Sequence, residues 1–348
     1  MLERLLTRLG VEFHMVAPGL ISSGHSDAPP RARSFRRSAG STGAADAAAE
    51  AGAVRDGEPV DVRLLRHGLQ RWPLRRGKGL LLRLLRPWLD RRCVTFELEP
   101  GIVLQADFDD RIVYWAFVDG SRRWDPIMAL SRTLIETGDT VLDVGANVGV
   151  WLLGAARRAG ATGSVHAFEP MPENLARLRT HLALNGLDFV RVDSRVLADE
   201  AGEVSFFPSR TNNSGLGSLA PQGGVGDAMK VMATTLELYC QERGITRVDF
   251  LKIDVEGAEL LVFRGGAGIL AAADAPAIMF EADDVLAAVL GSSTAATKAF
   301  LEHRGYGVFH FTGARLERVV PSATHVNHDL LALKPYHFAR HPALRRYV

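Results

Sequence analysis

Beyond Phe96 the apolar residues gather into short runs, separated by stretches in which they recur every third or fourth position. The runs Thr140–Val144, Ser164–Phe168, Phe189–Asp193, Val248–Asp254 and Ala277–Glu281 each end in a polar or glycine-rich turn, as parallel strands buried on both faces do. Between them, Pro172–Leu184 carries Leu175, Leu178 and Leu182 on one helical face, and Asn185 and Gly186 read as a left-handed cap. Thr234, with Glu237 three residues on, reads as a capping box opening a helix that ends at Gly244. A helix near Thr294–His303 closes at Gly305, and Val308–Phe311 and Leu330–Leu333 read as two further strands. Alternation of strand and helix predicts a mainly parallel sheet of about seven strands built from βαβ units. No internal repeat is visible.

The first hundred residues follow a different pattern. From about Ile21 to Val60, Ala, Gly, Ser, Pro and Arg dominate without a sustained period, so this stretch lacks the apolar surface that offsets the entropy of ordering. Residues 61–93 carry ten Lys or Arg against two acidic residues. Their leucines, Leu80, Leu81, Leu84 and Leu85, give an amphipathic pattern interrupted by Pro73 and Pro87. The expected organisation is a flexible arm over 1–60, a basic helical and strand segment over 61–130, a catalytic domain over 131–335 and a tail over 336–348.

Composition narrows the function. A chain of 348 residues, 47% hydrophobic and 23% charged, has material for one large α/β domain with extensions. A formal net charge of +1 disfavours a nucleic-acid-binding protein, which usually shows a strongly basic domain. The two cysteines, Cys93 and Cys240, have no Cys or His neighbour at metal-ligand spacing, so neither a disulfide framework nor a zinc site is indicated. No apolar run is long enough to span a bilayer, and Glu12 and His14 interrupt the start where a signal peptide is continuously apolar. The expectation is a cytoplasmic protein, with residues 61–93 offering contact to an anionic membrane at the cytoplasmic face.

Three segments carry candidate chemistry. In Val141-Leu142-Asp143-Val144-Gly145-Ala146-Asn147-Val148-Gly149 a buried strand runs into a turn where glycine lets backbone approach a ligand. The spacing Gly-x-x-x-Gly, with Asp143 two residues ahead, differs from the Gly-x-Gly-x-x-Gly of dinucleotide sites and favours S-adenosylmethionine over NAD. The following helix N-terminus is expected to face the methionine carboxylate, and Asp143 its ammonium group or an ordered water. A valine at Gly145 is expected to fill cofactor space and leave the fold largely intact. The second strand ends in Phe168-Glu169-Pro170, 24 residues after Gly145, where a carboxylate can accept from both ribose hydroxyls. The third segment, Lys252-Ile253-Asp254-Val255-Glu256-Gly257-Ala258-Glu259, sets one cation and three carboxylates just past a buried strand.

Together with Glu281, these segments resemble the motif series of the FkbM family of methyltransferases, over roughly residues 95–335. The resemblance implies a Rossmann-like class I methyltransferase fold, α/β with a seven-stranded sheet and an antiparallel terminal pair, plus an N-terminal extension. It also implies O-methylation of a small molecule or glycan, such as a sugar, glycolipid, polysaccharide or secondary metabolite. Cofactor-binding candidates are Asp143, Gly145, Ala146, Asn147, Gly149, Glu169 and Pro170. Removal of the acceptor's proton falls to Asp254 or Glu256, with Glu281 positioning or as a second base and Lys252 pairing with one of them. A divalent metal on Asp254, Glu256 or Glu281 is an alternative route to an acidified hydroxyl, although no His and Asp spacing marks a metal site. Thr211-Asn212-Asn213-Ser214-Gly215 reads either as a plain turn or as contacts to a sugar or the adenine edge. His166 and His181 read as structural, and His310, His325 and His328 receive no role. An NAD-dependent oxidoreductase and a non-catalytic membrane adaptor are the competing readings. The missing middle glycine disfavours the first, and the joint presence of Asp143, Glu169, Asp254 and Glu256 the second.

Overall fold

The computed structural model describes residues 58–71, 77–90, 94–120, 126–208, 215, 217–221, 227–326 and 328–348. The arm expected over 1–60 lies almost wholly outside these residues, as do Cys93 and Thr211 to Ser214.

Two amphipathic helices, α1 (Val60–Arg71) and α2 (Lys78–Asp90), open the described chain. A hairpin follows, β1 (Thr95–Glu99) with β2 (Ile102–Gln105), then α3 (Arg111–Asp119) and α4 (Pro126–Arg132). Val62, Leu65 and Leu69 of α1 are buried, and so are Leu82, Leu85 and Leu89 of α2, so the inward leucines of the basic stretch pack as core. Gln70 Nε2 donates to Phe117 O, and Lys78 pairs with Asp119, which fastens this layer to α3.

The central sheet is built from β3 (Thr140–Val144), β4 (Ser164–Phe168), β5 (Arg191–Asp193), β9 (Phe250–Ile253), β10 (Ala277–Ala282), β11 (Gly307–Phe311), β12 (Leu316–Arg318) and β13 (His328–Leu333). Its order is β12-β11-β13-β10-β9-β3-β4-β5, with β5, β4, β3, β9 and β10 parallel and β13, β11 and β12 antiparallel. This is the expected five-strand parallel core, and the antiparallel end has three strands rather than two. The additional strand, β12, has the burial pattern of an edge with only Leu316 covered, so it leaves almost no apolar run to read. A second small sheet, β6 (Val196–Leu197), β8 (Met229–Thr234) and β7 (Gly202–Phe206), was also not foreseen.

Strand alternation sorts the core into two faces. Leu142, Val144, Leu251, Ile253, Ile278 and Phe280 meet Leu236 and Tyr239 of α7 (Leu236–Arg243) and Val262 and Phe263 of α8 (Glu259–Arg264). The opposite face carries Asp143, Lys252, Met279 and Glu281, and Trp151, just ahead of α5 (Leu152–Ala159), stacks on Phe250 there at 5.5 Å. Helix α6 (Pro172–Leu184) has its expected bounds. At its end Gly186 takes the left-handed conformation with φ 64°, whereas Asn185 stays right-handed and spends its side chain on Val103, accepting from the amide and donating to the carbonyl. The cap of α7 is Thr235, whose hydroxyl accepts from Leu238 N, so the capping box placed on Thr234 moves by one residue. Glu237 turns away from the cap and accepts from Gly268 N at the start of α9 (Ala267–Ala271). The remaining helices are α10 (Asp284–Val289), α11 (Thr294–Glu302) and α12 (Pro335–Arg340). Arg340 in α12 ties Asp139 and Asp249 together at the amino ends of β3 and β9, opposite the site.

Candidate active site

The strand order reverses at β3, between β4 on one side and β9 on the other, and ligands of open α/β sheets bind at the carboxyl edge of such a switch point. A cavity of about 890 Å³ opens there. Gly145, Ala146, Asn147, Glu169, Pro170, Lys252, Asp254, Glu256 and Glu281 all line it. The sheet thus gathers residues spread over 137 positions of sequence, from Gly145 to Glu281, onto one edge.

Asp143 and Gly149 of the expected cofactor set do not line this cavity. Asp143 is fully buried and stands opposite Lys252 in the register of β3 and β9, with Lys252 Nζ 3.1 Å from its Oδ1. Burial raises the Asp143 carboxyl despite the neighbouring ammonium. Lys252 meets the same desolvation, yet Asp143 and Asp254 outweigh it and hold the amine above its usual range. Asp143 therefore cannot reach an ammonium group of a ligand and acts instead through Lys252. That lysine also donates to Gly145 O at 3.0 Å and lies 3.3 Å from Asp254 Oδ2, locking the glycine turn to the β9 turn. Gly149, with φ 91°, is a packing glycine, because a Cβ there would stand 2.7 Å from Leu178 of α6.

Gly145 is needed for a reason other than ligand space. Its φ is 80°, and a Cβ would fall 1.9 Å from the carbonyl oxygen of Asp254. A valine at this position would collide with protein backbone, so the expectation of an intact fold is corrected. The turn's amides are also already used. Gly145 N and Ala146 N donate to Phe168 O, Asn147 N to Glu169 Oε2, Val148 N to Asn147 Oδ1 and Gly149 N to Ala146 O. Helix α5 begins only at Leu152, behind the buried Trp151, so the turn offers no free positive pole to a carboxylate.

Glu169 lies at the tip of β4, 5% exposed. Burial raises its carboxyl to about 7, against the amides of Met171 and Asn147 and the Asn174 side chain, which favour the charge. A carboxylate has about four lone-pair positions. With three partners in place, one remains for a ligand hydroxyl rather than the two expected.

The β9 turn is strained. Glu256 has φ 53° and Gly257 φ 98°, a left-handed pair in which only glycine is at ease. Ser218 Oγ donates to Glu256 O, and Glu259 Oε1 accepts from Val255 N and Gly257 N, so Glu259 is a buried brace for the turn. The strain aims Glu256 into the cavity, where ligand atoms of Asp254, Glu256 and Glu281 come within 4.8 Å of one another. Burial first, then Asp254 and the other neighbouring carboxylates, pushes Glu256 up to about 9 and Glu281 well above its usual range.

Sequence reasoning missed Arg111, Trp115, Met128 and Trp151, which line the cavity from elements upstream of β3 and from the loop after it. Arg111 is exposed and forms no ion pair among the described residues. The signal was faint, one cation after the N-cap Asp110 whose side chain accepts from Ile112 N and Val113 N. His166 bridges Ser164 and Tyr239, and His181 Nδ1 meets Val148 O at 2.7 Å, so both are structural as read. Gly215 lines the cavity, whereas its neighbours Thr211 to Ser214 are outside the described residues.

Residues 143–308 match the methyltransferase FkbM domain. The 31-O-demethyl-FK506 methyltransferase FkbM of Streptomyces tacrolimicus is 34% identical, over 38% of this chain and 60% of that protein. Methyltransferase sdnD of Sordaria araneosa is 31% identical over 36% and 59%. The 2-O-methyltransferase NoeI of Sinorhizobium fredii (strain NBRC 101917 / NGR234) is 28% identical over 43% and 68%. The chain thus spans about three fifths of the length of the first two.

Proposed function

We propose that this chain, which belongs to the FkbM family of methyltransferases through residues 143–308, transfers a methyl group from S-adenosylmethionine to a hydroxyl of a sugar, glycolipid, polysaccharide or secondary metabolite. The observation that carries this reading is the convergence of the Gly145 turn, Glu169 and the Asp254–Glu256–Glu281 carboxylates on one cavity. Two named relatives are O-methyltransferases by their positions of attack, at oxygen 31 and at oxygen 2.

The residues present fit the cofactor. Glu169 keeps one acceptor position for a ribose hydroxyl, and Gly145, Ala146 and Asn147 line the cavity beside it. The volume of about 890 Å³ lies in the range of sites for small molecules and has room for cofactor and acceptor together. With the turn amides occupied, Arg111, which lines the cavity without an ion pair among the described residues, is the candidate partner of the methionine carboxylate. Bound S-adenosylmethionine supplies an electrophilic methyl group. The chain must hold the acceptor oxygen about 3 Å from it and accept a proton. Asp254 faces the cavity while paired with Lys252, and it is the candidate base. Glu256 at about 9 holds its own proton at neutral pH and serves first as a hydrogen-bond donor to the acceptor.

The test is incubation with methyl-labelled S-adenosylmethionine and extracts fractionated by glycan and lipid class, followed by identification of the labelled product. Label in an ether of a hydroxylated acceptor, lost in Asp254→Asn, is expected. Label on nitrogen or carbon, or none while the cofactor binds, refutes O-methylation.

Contact with an anionic membrane belongs to the same proposal. Among the described residues no helix is long and apolar enough to cross a membrane. Leu64, Leu80 and Leu84 stand exposed on α1 and α2, beside arginines at 63 and 83. Arg66, Lys78 and Arg86 are already paired with Glu58, Asp119 and Asp109, which weakens the basic face. Sedimentation with anionic vesicles at low salt is expected to drop when Leu80 and Leu84 become Ser. A full-length protein that stays in the supernatant at low salt refutes the contact.

A further inference from the structure

The small sheet of β6, β8 and β7 carries none of the motif residues, yet the chain that leaves β7 reaches the cavity. Just past β7, Phe207 and Ser218 form a β-bridge, each amide donating to the other's carbonyl. Gly217 lies against the Phe206 ring with no room for a Cβ, and Ala220 is buried. This segment is thus seated by the end of β7, and Gly217 and Leu219 line the cavity from it. Ser218, between them, does not line the cavity. It is 1% exposed, and its Oγ donates to Glu256 O at 3.1 Å while accepting from Ala220 N at 3.3 Å.

Glu256 is a residue that needs holding. Its φ of 53° lies in the left-handed region, where Cβ crowds the backbone and a residue other than glycine persists only in a setting that over-determines it. Glu259 Oε1 secures the flanking amides of Val255 and Gly257, and Gly257 packs on the backbone of Leu286 with no space for a Cβ. Ser218 grips the carbonyl of Glu256 itself. A neutral hydrogen bond contributes about as much as the left-handed conformation costs, so this contact is large enough to decide the population. Serine suits the task because one small hydroxyl can donate to Glu256 O and accept from Ala220 N at once.

We propose that Ser218 is a positioning residue, whose hydroxyl holds Glu256 in the left-handed conformation that turns the Glu256 carboxyl into the cavity, and that the small sheet is the scaffold that seats Ser218. The seating of Glu256 stands on the geometry of the turn alone, and its use in the reaction rests on the methyl-transfer reading. Backbone conformation fixes the direction of Cβ, so a Glu256 that leaves the left-handed region takes its carboxyl away from the acceptor. A misplacement of about 1 Å in such a contact can cost about a hundredfold in rate.

The experiment compares crystal structures of the full chain and of Ser218→Ala, and measures turnover with methyl-labelled S-adenosylmethionine and the extract fraction that takes up label. In Ser218→Ala, Glu256 is expected to leave the left-handed region and its carboxyl the cavity. Turnover at saturating cofactor is expected to fall at least about tenfold, with affinity for S-adenosylmethionine within about twofold by calorimetry. Ser218→Thr, which keeps the hydroxyl, is expected to hold Glu256 in place and to retain most of the turnover. A double-mutant cycle separates positioning from packing: in a Glu256→Ala background, Ser218→Ala is expected to cost less than about twofold further, since no carboxyl is left to place. Glu256 still left-handed in Ser218→Ala, or a loss in the Glu256→Ala background as large as in the wild type, overturns the role. Should Ser218→Ala fail to fold, Ser218→Cys, close in size and a far weaker donor, takes its place with the same readouts. Glu256 displaced in Ser218→Ala with no label taken up from any fraction supports the seating and refutes the methyl-transfer reading; label taken up with Glu256 unmoved does the reverse.

Discussion

Replacing Lys252 by Met tests whether the β3 and β9 turns are held together by charge. Lys252 Nζ sits 3.1 Å from Asp143 Oδ1, and Asp143 has no exposed surface. At an effective dielectric constant of about 20, unit charges at that distance attract by about 5 kcal/mol, which offsets the cost of burying them. Met fills the space of the alkyl stem and leaves Asp143 without a cation. Removing one member of a buried pair costs about 3 to 5 kcal/mol, so the melting temperature at pH 7.5 should fall by about 5 to 8 °C. The sign with pH follows from Asp143, already raised by burial and raised further once the ammonium is gone. A carboxyl whose folded pKa exceeds its unfolded value destabilises the fold as pH rises between the two. As pH falls from the variant's Asp143 pKa to that of the wild type, the gap between wild type and Lys252→Met should therefore narrow by about 1.4 kcal/mol per pH unit. Asp143→Asn combined with Lys252→Met should recover about half of the loss, since the amide buries no charge. Scanning calorimetry from pH 5 to 8 on the three variants checks this. A loss below about 1 kcal/mol at pH 7.5, a gap independent of pH, or a double variant no better than Lys252→Met refutes the argument.

Three further outcomes follow from the site. Gly145→Ala should destabilise the fold by about 3 kcal/mol or more, because its Cβ meets the Asp254 carbonyl at 1.9 Å; a variant with wild-type melting and weakened cofactor binding would restore the ligand-space explanation. Glu169, at about 7 in the free protein, accepts a ribose hydroxyl more strongly when ionised, so affinity for S-adenosylmethionine should fall by up to about tenfold from pH 8 to pH 6. In Glu169→Gln that dependence should be flat, and a retained pH slope would assign it to another group. Arg111→Gln should weaken S-adenosylmethionine binding by about 1.5 to 3 kcal/mol but leave 5′-methylthioadenosine, which lacks the amino-acid end, unchanged; equal losses for both would remove Arg111 from the methionine carboxylate.

What was legible in the sequence was whatever repeats along the backbone. Thr140–Val144 and Ser164–Phe168 were read to the residue because strands covered on both faces need uninterrupted apolar runs. Glu169 and Glu256 stood out because each follows such a run, and Lys252 and Asp254 because they break its end, and the carboxyl edge of the sheet is where such residues meet. Arg111, Trp115 and Met128 were not, because they come from the helical layer before β3, whose approach to the cavity is set by packing and leaves no spacing to read. The three-stranded sheet of β6, β7 and β8 was equally hidden, since Glu203 and Lys230 face outward and break its short apolar runs.

Asp143 shows the limit of placing chemistry by motif alone. A carboxylate at the end of a buried strand beside a glycine turn reads as a ligand contact, and its distance along the chain from Lys252 conceals the pairing. Only the parallel register of β3 against β9 sets the two opposite each other on the face away from α7 and α8. The same register puts Glu281, two residues beyond the partner of Lys252 on β10, on that face as well. One cation thus enters the sheet at Lys252 and is shared by Asp143 and Asp254, while Glu256 and Glu281 line the cavity at the same edge. Which carboxylates share one edge therefore follows from strand order, and no spacing along the chain could have shown it.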